Sequence, residues 1–187
     1  RGWCAGKNVL IVGPGSVGVE RRADIEDHIR VHRPLVVALN AVPPVDRSLV
    51  DAYAICHPVR AMIDATEIAA LDRPLFMPRP VQERLDPPPA AQARDYGLTP
   101  SSTSFAAGPT SCTIPRIASF PYALALAVVG GAKEVFLTGF DGFEATDPRQ
   151  EEMEQLFSLF AEMPGAPRIT ALTKTNYPVH HSSIYAE

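Results

Sequence analysis

The sequence has little of what marks several functional classes. Its three cysteines, Cys4, Cys56 and Cys112, are far apart and odd in number. They offer neither a disulfide framework nor metal-ligand spacing, and read as buried or incidental thiols in a reducing cytoplasm. No apolar run reaches the roughly 18 residues of a membrane span, so no membrane partner is expected. Basic residues are scattered and the formal net charge is −4. With no phosphate-tracking basic stripe, nucleic acid is not an expected partner either. No repeat, heptad or signal peptide is visible. His180 and His181 are adjacent, and neighbouring side chains on a strand point to opposite faces, so no metal site is expected.

What is there suits one α/β domain. The 187 residues fall short of the ~250 of a (β/α)₈ barrel, and they fit a Rossmann-like, three-layer fold. We expect a mainly parallel sheet of five to six strands with helices on both faces, over residues 1–187. Hydrophobic residues make up 46% and charged residues 20%, ordinary for a globular protein. Short apolar runs at residues 8–12, 35–39, 53–56, 75–77, 133–138 and 168–172 read as buried strands. Between them, Ile25 and Ile29 lie four apart, as on a helix that Pro34 ends. Helices are also expected over residues 61–71, 119–131 and 149–163. Of these, the stretch beginning at Ser119 is apolar nearly all round, and hence buried; Ser119 is its expected cap and Pro121 lies in its first turn. Strands alternating with helices at this spacing imply βαβ units. Residues 78–115, rich in proline, serine and threonine, break the alternation and read as a loop or lid.

The strongest motif is Gly13-Pro14-Gly15-Ser16-Val17-Gly18, a G-x-G-x-x-G stretch between a strand and a helix. Glycine lets the backbone approach a phosphate, the helix N-terminus supplies free N–H groups, and Ser16 adds a hydroxyl; the alternative is a tight turn without a ligand. NAD would want an acid at the end of the second strand, where Asn40 stands. Asn40 suits a ribose or a base edge, or caps its own turn. Asp141, between Gly139 and Gly142 just past a strand, is placed to reach a ligand or act as a base, or to close an Asx turn. Thr173 opens a segment after the last strand that is placed to close over phosphates, or is equally a solvated tail.

These residues resemble known families. Residues 9–16, 36–40, 123–143 and 147–157, in that order, are similar to bacterial sialyltransferases that use CMP-sialic acid, and to pterin diphosphokinase-like proteins. They look closer to the C-terminal domain of bacterial 4-hydroxy-2-oxovalerate aldolase-like proteins, where a barrel precedes a domain of this kind. The start at Arg1 fits a piece of such a chain. The resemblance implies that Gly15, Ser16 and Asn40 contact a nucleotide or CMP-type nucleotide-sugar, and that Gly139 and Asp141 lie beside the donor sugar. The sialyltransferases also carry a catalytic histidine on a lid. No histidine occurs between Asp147 and Thr175, and His181 is the substitute if the tail folds back.

Three functions follow as expectations. The first is a nucleotide-sugar-dependent, glycosyltransferase-like transferase, or a degenerate relative that still binds the nucleotide as its small phosphorylated ligand. The second is a non-catalytic accessory domain of an aldolase-like lyase whose catalytic barrel lies in the same chain. The third is an NAD-dependent oxidoreductase.

Overall fold

The computed structural model describes residues 2–89 and 93–186. In chain order its elements are β1 (Asn8–Val12), α1 (Ser16–Glu20), α2 (Arg22–His32), β2 (Leu35–Ala38), β3 (Ala52–Ala54), α3 (Pro58–Ile63), α4 (Ala65–Ala69), β4 (Leu75–Phe76) and α5 (Arg79–Gln82). There follow β5 (Ala93–Arg94), β6 (Gly97–Pro100), β7 (Ala106–Ala107), β8 (Ser111–Ile114), α6 (Ser119–Gly130), β9 (Glu134–Thr138), α7 (Pro148–Ala161), β10 (Arg168–Ala171) and β11 (His180–His181).

The main sheet has eight strands in the order β11-β10-β9-β1-β2-β3-β4-β5, every described pair parallel. Five to six strands were expected; the extra ones, β5 and β11, are two residues each, too short to show a hydrophobic period. Strand β1 is central, and its side chains alternate between the two faces. Val9 and Ile11 enter one core with α6 and α7. Leu10 and Val12 enter the other with α2, α3 and α4. Burial on both faces is why this strand reads as a continuous apolar run. The chain moves outward from β1 to β5, then returns to place β9 on the other side of β1. This reversal puts the topological switch point between β1 and β9, where open α/β sheets bind ligands at their C-terminal edge.

Residues 78–115 differ from the loop or lid expected. Residues 90–92 lie outside the described part, and the rest forms α5, β5 and a small sheet β6-β8-β7 with one parallel and one antiparallel pair. This sheet packs on α6. The Tyr122 hydroxyl donates to the Tyr96 carbonyl at 2.7 Å, and the Phe105 ring meets Phe160 edge-on at 5.2 Å. Helix α6 is therefore apolar all round because it lies between two sheets. Burial of all three cysteines raises their thiol pKa values, to about 11 for Cys4 and about 12 for Cys56 and Cys112, so they stay protonated and unreactive at neutral pH.

Helix α2 carries a pH-sensitive contact. Its partly buried His28 lies 4.3 Å, ring to ring, from His32, and its Nδ1 bonds the Ile184 carbonyl at 3.2 Å. Desolvation, then the charge of His32, holds the His28 pKa below its ordinary 6.5, against the opposing pull of the Ile184 carbonyl. The folded state thus binds this proton less readily than the unfolded one. The resulting stability is complete above pH ~6.5 and is lost as pH falls from there through the folded value. Urea midpoints are expected to drop between pH 7.5 and 5.5 in the wild type and to drop less in His28→Gln. Equal slopes would place the effect elsewhere.

Candidate ligand cleft

The β1–α1 loop and the β9–α7 loop meet at the switch point through their glycines. The Gly15 amide donates to the Gly139 carbonyl at 2.8 Å. A Cβ on Gly13 would lie 2.6 Å from the Gly139 oxygen and 2.8 Å from the Phe140 ring. One on Gly15 would lie 2.5 Å from the Gly139 oxygen and 2.6 Å from Asp141 Oδ1. Gly15 has an extended backbone, φ −64° and ψ 155°, so close approach, not a left-handed conformation, demands glycine there. At Gly139 both reasons apply, since its φ is +71°. The G-x-G pattern is thus accounted for by loop packing against loop.

Asp141 completes the junction. Its Oδ2 accepts from the Ser16 hydroxyl at 2.9 Å and from the Val17 amide at 3.1 Å. A fixed carboxylate therefore stands at the N-terminus of α1, where the motif would hold a phosphate. Charge and helix dipole favour it there. Oδ1 is buried and meets no hydrogen-bond partner among the described residues. The Thr173 hydroxyl accepts from the Gly139 amide at 3.2 Å, so Thr173 braces the glycine turn.

Beside this junction is a cleft of about 450 Å³ at the C-terminal edge of the sheet. It brings together Pro14, Gly15, Asn40, Gly139 and Asp141 from the expected set. Gly13, Ser16 and Thr173 support it from behind and do not line it. His181 is a correction: it lines a different cavity with His28, His32 and Leu172, against the α2 core. Strand β11 lies at the far edge of the sheet, three positions from β1, and the tail packs beside α2 through Ile184 instead of folding back to the cleft.

The rest of the lining comes from residues the motifs did not single out. Phe120, Phe140 and Tyr177 supply an apolar wall, with the Phe120 and Phe140 rings 4.6 Å apart. Burial pushes the Tyr177 phenol up to about 12, with Arg149 opposing and Asp141 and Asp147 adding, so its hydroxyl remains a donor. His57, Arg60 and Ser119 form the opposite end. His57 Nδ1 accepts from the Arg60 amide at 3.4 Å as the cap of α3, which leaves Nε2 as the protonated nitrogen of the neutral ring. Arg60 Nε pairs with Asp64 at 2.6 Å. Ser119 was expected to cap α6; instead Ala118 holds that position without a side-chain bond. The Ser119 hydroxyl accepts from the Cys56 amide at 3.4 Å, because β3 ends against the start of α6. His57 carried a signal in the sequence, a His-Pro pair after a strand. Arg60 carried none, being one arginine on a helix.

Among the described residues, no group of three or more His, Cys, Asp or Glu is arranged to hold a metal ion, and no helix is long and apolar enough to cross a membrane. No family model matches the chain, and neither the curated proteins nor the solved structures searched contain a significant match to it.

Proposed function

We propose that this domain binds a small phosphorylated ligand of the nucleotide or nucleotide-sugar class in the cleft beside the switch point. The observation that carries this reading is the composition of the cleft. An apolar, aromatic wall carries a few polar groups, Asn40, His57, Arg60, Ser119 and Asp141, at the strand ends where the fold class takes its ligands. The wall suits a planar base. Asn40 offers an acceptor and two donors to a base edge or ribose. The resemblance to CMP-sialic-acid-dependent enzymes points the same way.

NAD fits less well. Its pyrophosphate would rest on the first helix N-terminus, which the Asp141 carboxylate already occupies, and Asn40 replaces the acid for the adenosine ribose. Transfer of the sugar would add a base to the binding role, for which Asp141 and His57 are the cleft's candidates.

Thermal-shift and calorimetric screening against CMP, CDP, UDP, CMP-sugars and NAD tests the proposal. A cytidine or uridine nucleotide is expected to raise the melting temperature and bind with measurable affinity, and NAD is expected to do neither. Absence of binding across the nucleotide set would remove this reading and leave the accessory-domain role.

A further inference from the structure

The expected phosphate cradle and the observed charges do not coincide. At the Gly13–Ser16 end, the donors that would greet an anion, the Val17 amide and Ser16 hydroxyl, are both taken by Asp141. A phosphate placed there would meet a carboxylate. Helix α1 is also only five residues long.

The other end of the same cleft has the opposite character. Arg60 and His57 both line it. Asp64 engages only the Nε edge of the guanidinium, and among the described residues no acceptor meets its Nη groups. An arginine fork with free Nη groups suits a phosphate's paired oxygens. His57 adds an Nε2 donor. The twelve-residue helix α6 begins at the same place, since Cys56, next to His57, donates to Ser119. The Ser119 and Phe120 amides of its first turn have no side-chain cap, as Ala118 carries no side-chain oxygen.

Along the sheet edge the order is Asp141 after β9, Gly15 after β1, Asn40 after β2 and His57 after β3. Three strand spacings of about 4.8 Å separate the carboxylate from the cationic end by roughly 14 Å. The cleft is therefore dipolar, and a ligand has one sensible direction in it.

We infer that Arg60 and His57, at the start of α6, form the anion subsite of this cleft for the phosphate of a nucleoside monophosphate unit. The Gly13–Ser16 loop does not hold that phosphate. The planar base lies against the Phe120–Phe140 wall, on the side of the phosphate that faces Asp141. This assignment rests on the nucleotide-binding reading above.

The test compares each nucleoside monophosphate (AMP, GMP, CMP, UMP) with its own nucleoside, so that the affinity ratio isolates the phosphate. The wild type is expected to bind at least one monophosphate ten-fold or more tighter than the nucleoside. Arg60→Gln and His57→Gln should each shrink that ratio several-fold, while Ser16→Ala leaves it unchanged. A ratio lost in Ser16→Ala and kept in Arg60→Gln and His57→Gln would overturn the subsite and return the phosphate to the glycine loop. Arg60→Gln also unpairs the buried Asp64, and His57→Gln, which leaves that pair in place, is the independent arm. Amide chemical shifts that differ between the monophosphate and nucleoside complexes should cluster at Ser119 and Phe120. Differences clustered at Gly15–Val17 would sink the assignment. A wild type that binds neither nucleotides nor nucleosides would remove the nucleotide reading itself, and the subsite with it.

Discussion

Gly15→Val is expected to lower stability by about 3 kcal/mol with no ligand present, at the upper end of the usual cost of overpacking. The Cβ alone meets the Gly139 oxygen and Asp141 Oδ1. Neither can retreat cheaply, because the Gly139 carbonyl accepts from the Gly15 amide and the Asp141 carboxylate is held by Ser16 and Val17. For a chain of this size the melting temperature should fall by roughly 6–12 °C. Gly15→Ala should show most of the same loss, since Cβ is the offending atom. A glycine kept only for close approach of a phosphate would behave differently, as its apo stability would be untouched and only affinity would change. Thermal melts of apo Gly15→Ala, Asp141→Ala and the double variant separate the two. Packing predicts that Gly15→Ala costs less in the Asp141→Ala background, where one of its two clashes is gone. A wild-type melting temperature for apo Gly15→Ala would show that the loops do not meet as described.

Phe120→Ala should cost more, about 3–5 kcal/mol, or roughly 6–20 °C in melting temperature. Phe120 is 6% exposed and lies at the centre of an aromatic chain. Its ring is 4.6 Å from Phe140 and 5.5 Å from Phe157, which in turn is 5.3 Å from Tyr177. Removing it opens a cavity between α6, α7 and the turn after β9, and strips the apolar wall of the cleft. Phe120→Leu keeps much of the volume and should recover most of the stability while still lacking the planar ring. Should the ring stack on a base, Phe120→Leu will weaken nucleotide binding out of proportion to its effect on the melt. A Phe120→Leu variant that binds as wild type would confine Phe120 to the core.

The strands of the sheet centre were legible because their burial is two-sided. Asn8–Val12 is β1 residue for residue, and Leu35–Ala38 and Glu134–Thr138 differ from the expected runs by a single residue. Strands β5 and β11, at two residues each, carry no such period, and their pairing is decided by neighbours distant in sequence. The helix expected over residues 61–71 is two, α3 and α4, broken at Asp64, a break that no proline or glycine announces.

The same division runs through the candidate site. By itself the sequence determined an α/β alternation, a glycine turn after the first strand, and Asn40 and Asp141 at strand ends, since all of these follow from local period and turn chemistry. Tertiary structure alone decided what those residues face. Asp141 meets Ser16 across 125 positions, turning an expected phosphate cradle into a filled carboxylate cap. The reversal of strand order brings Arg60 and Ser119 to one end of the cleft and leaves His181 beyond its reach. Contacts of that kind depend on the order in which strands are laid into the sheet, and a periodicity read along the chain carries no record of it.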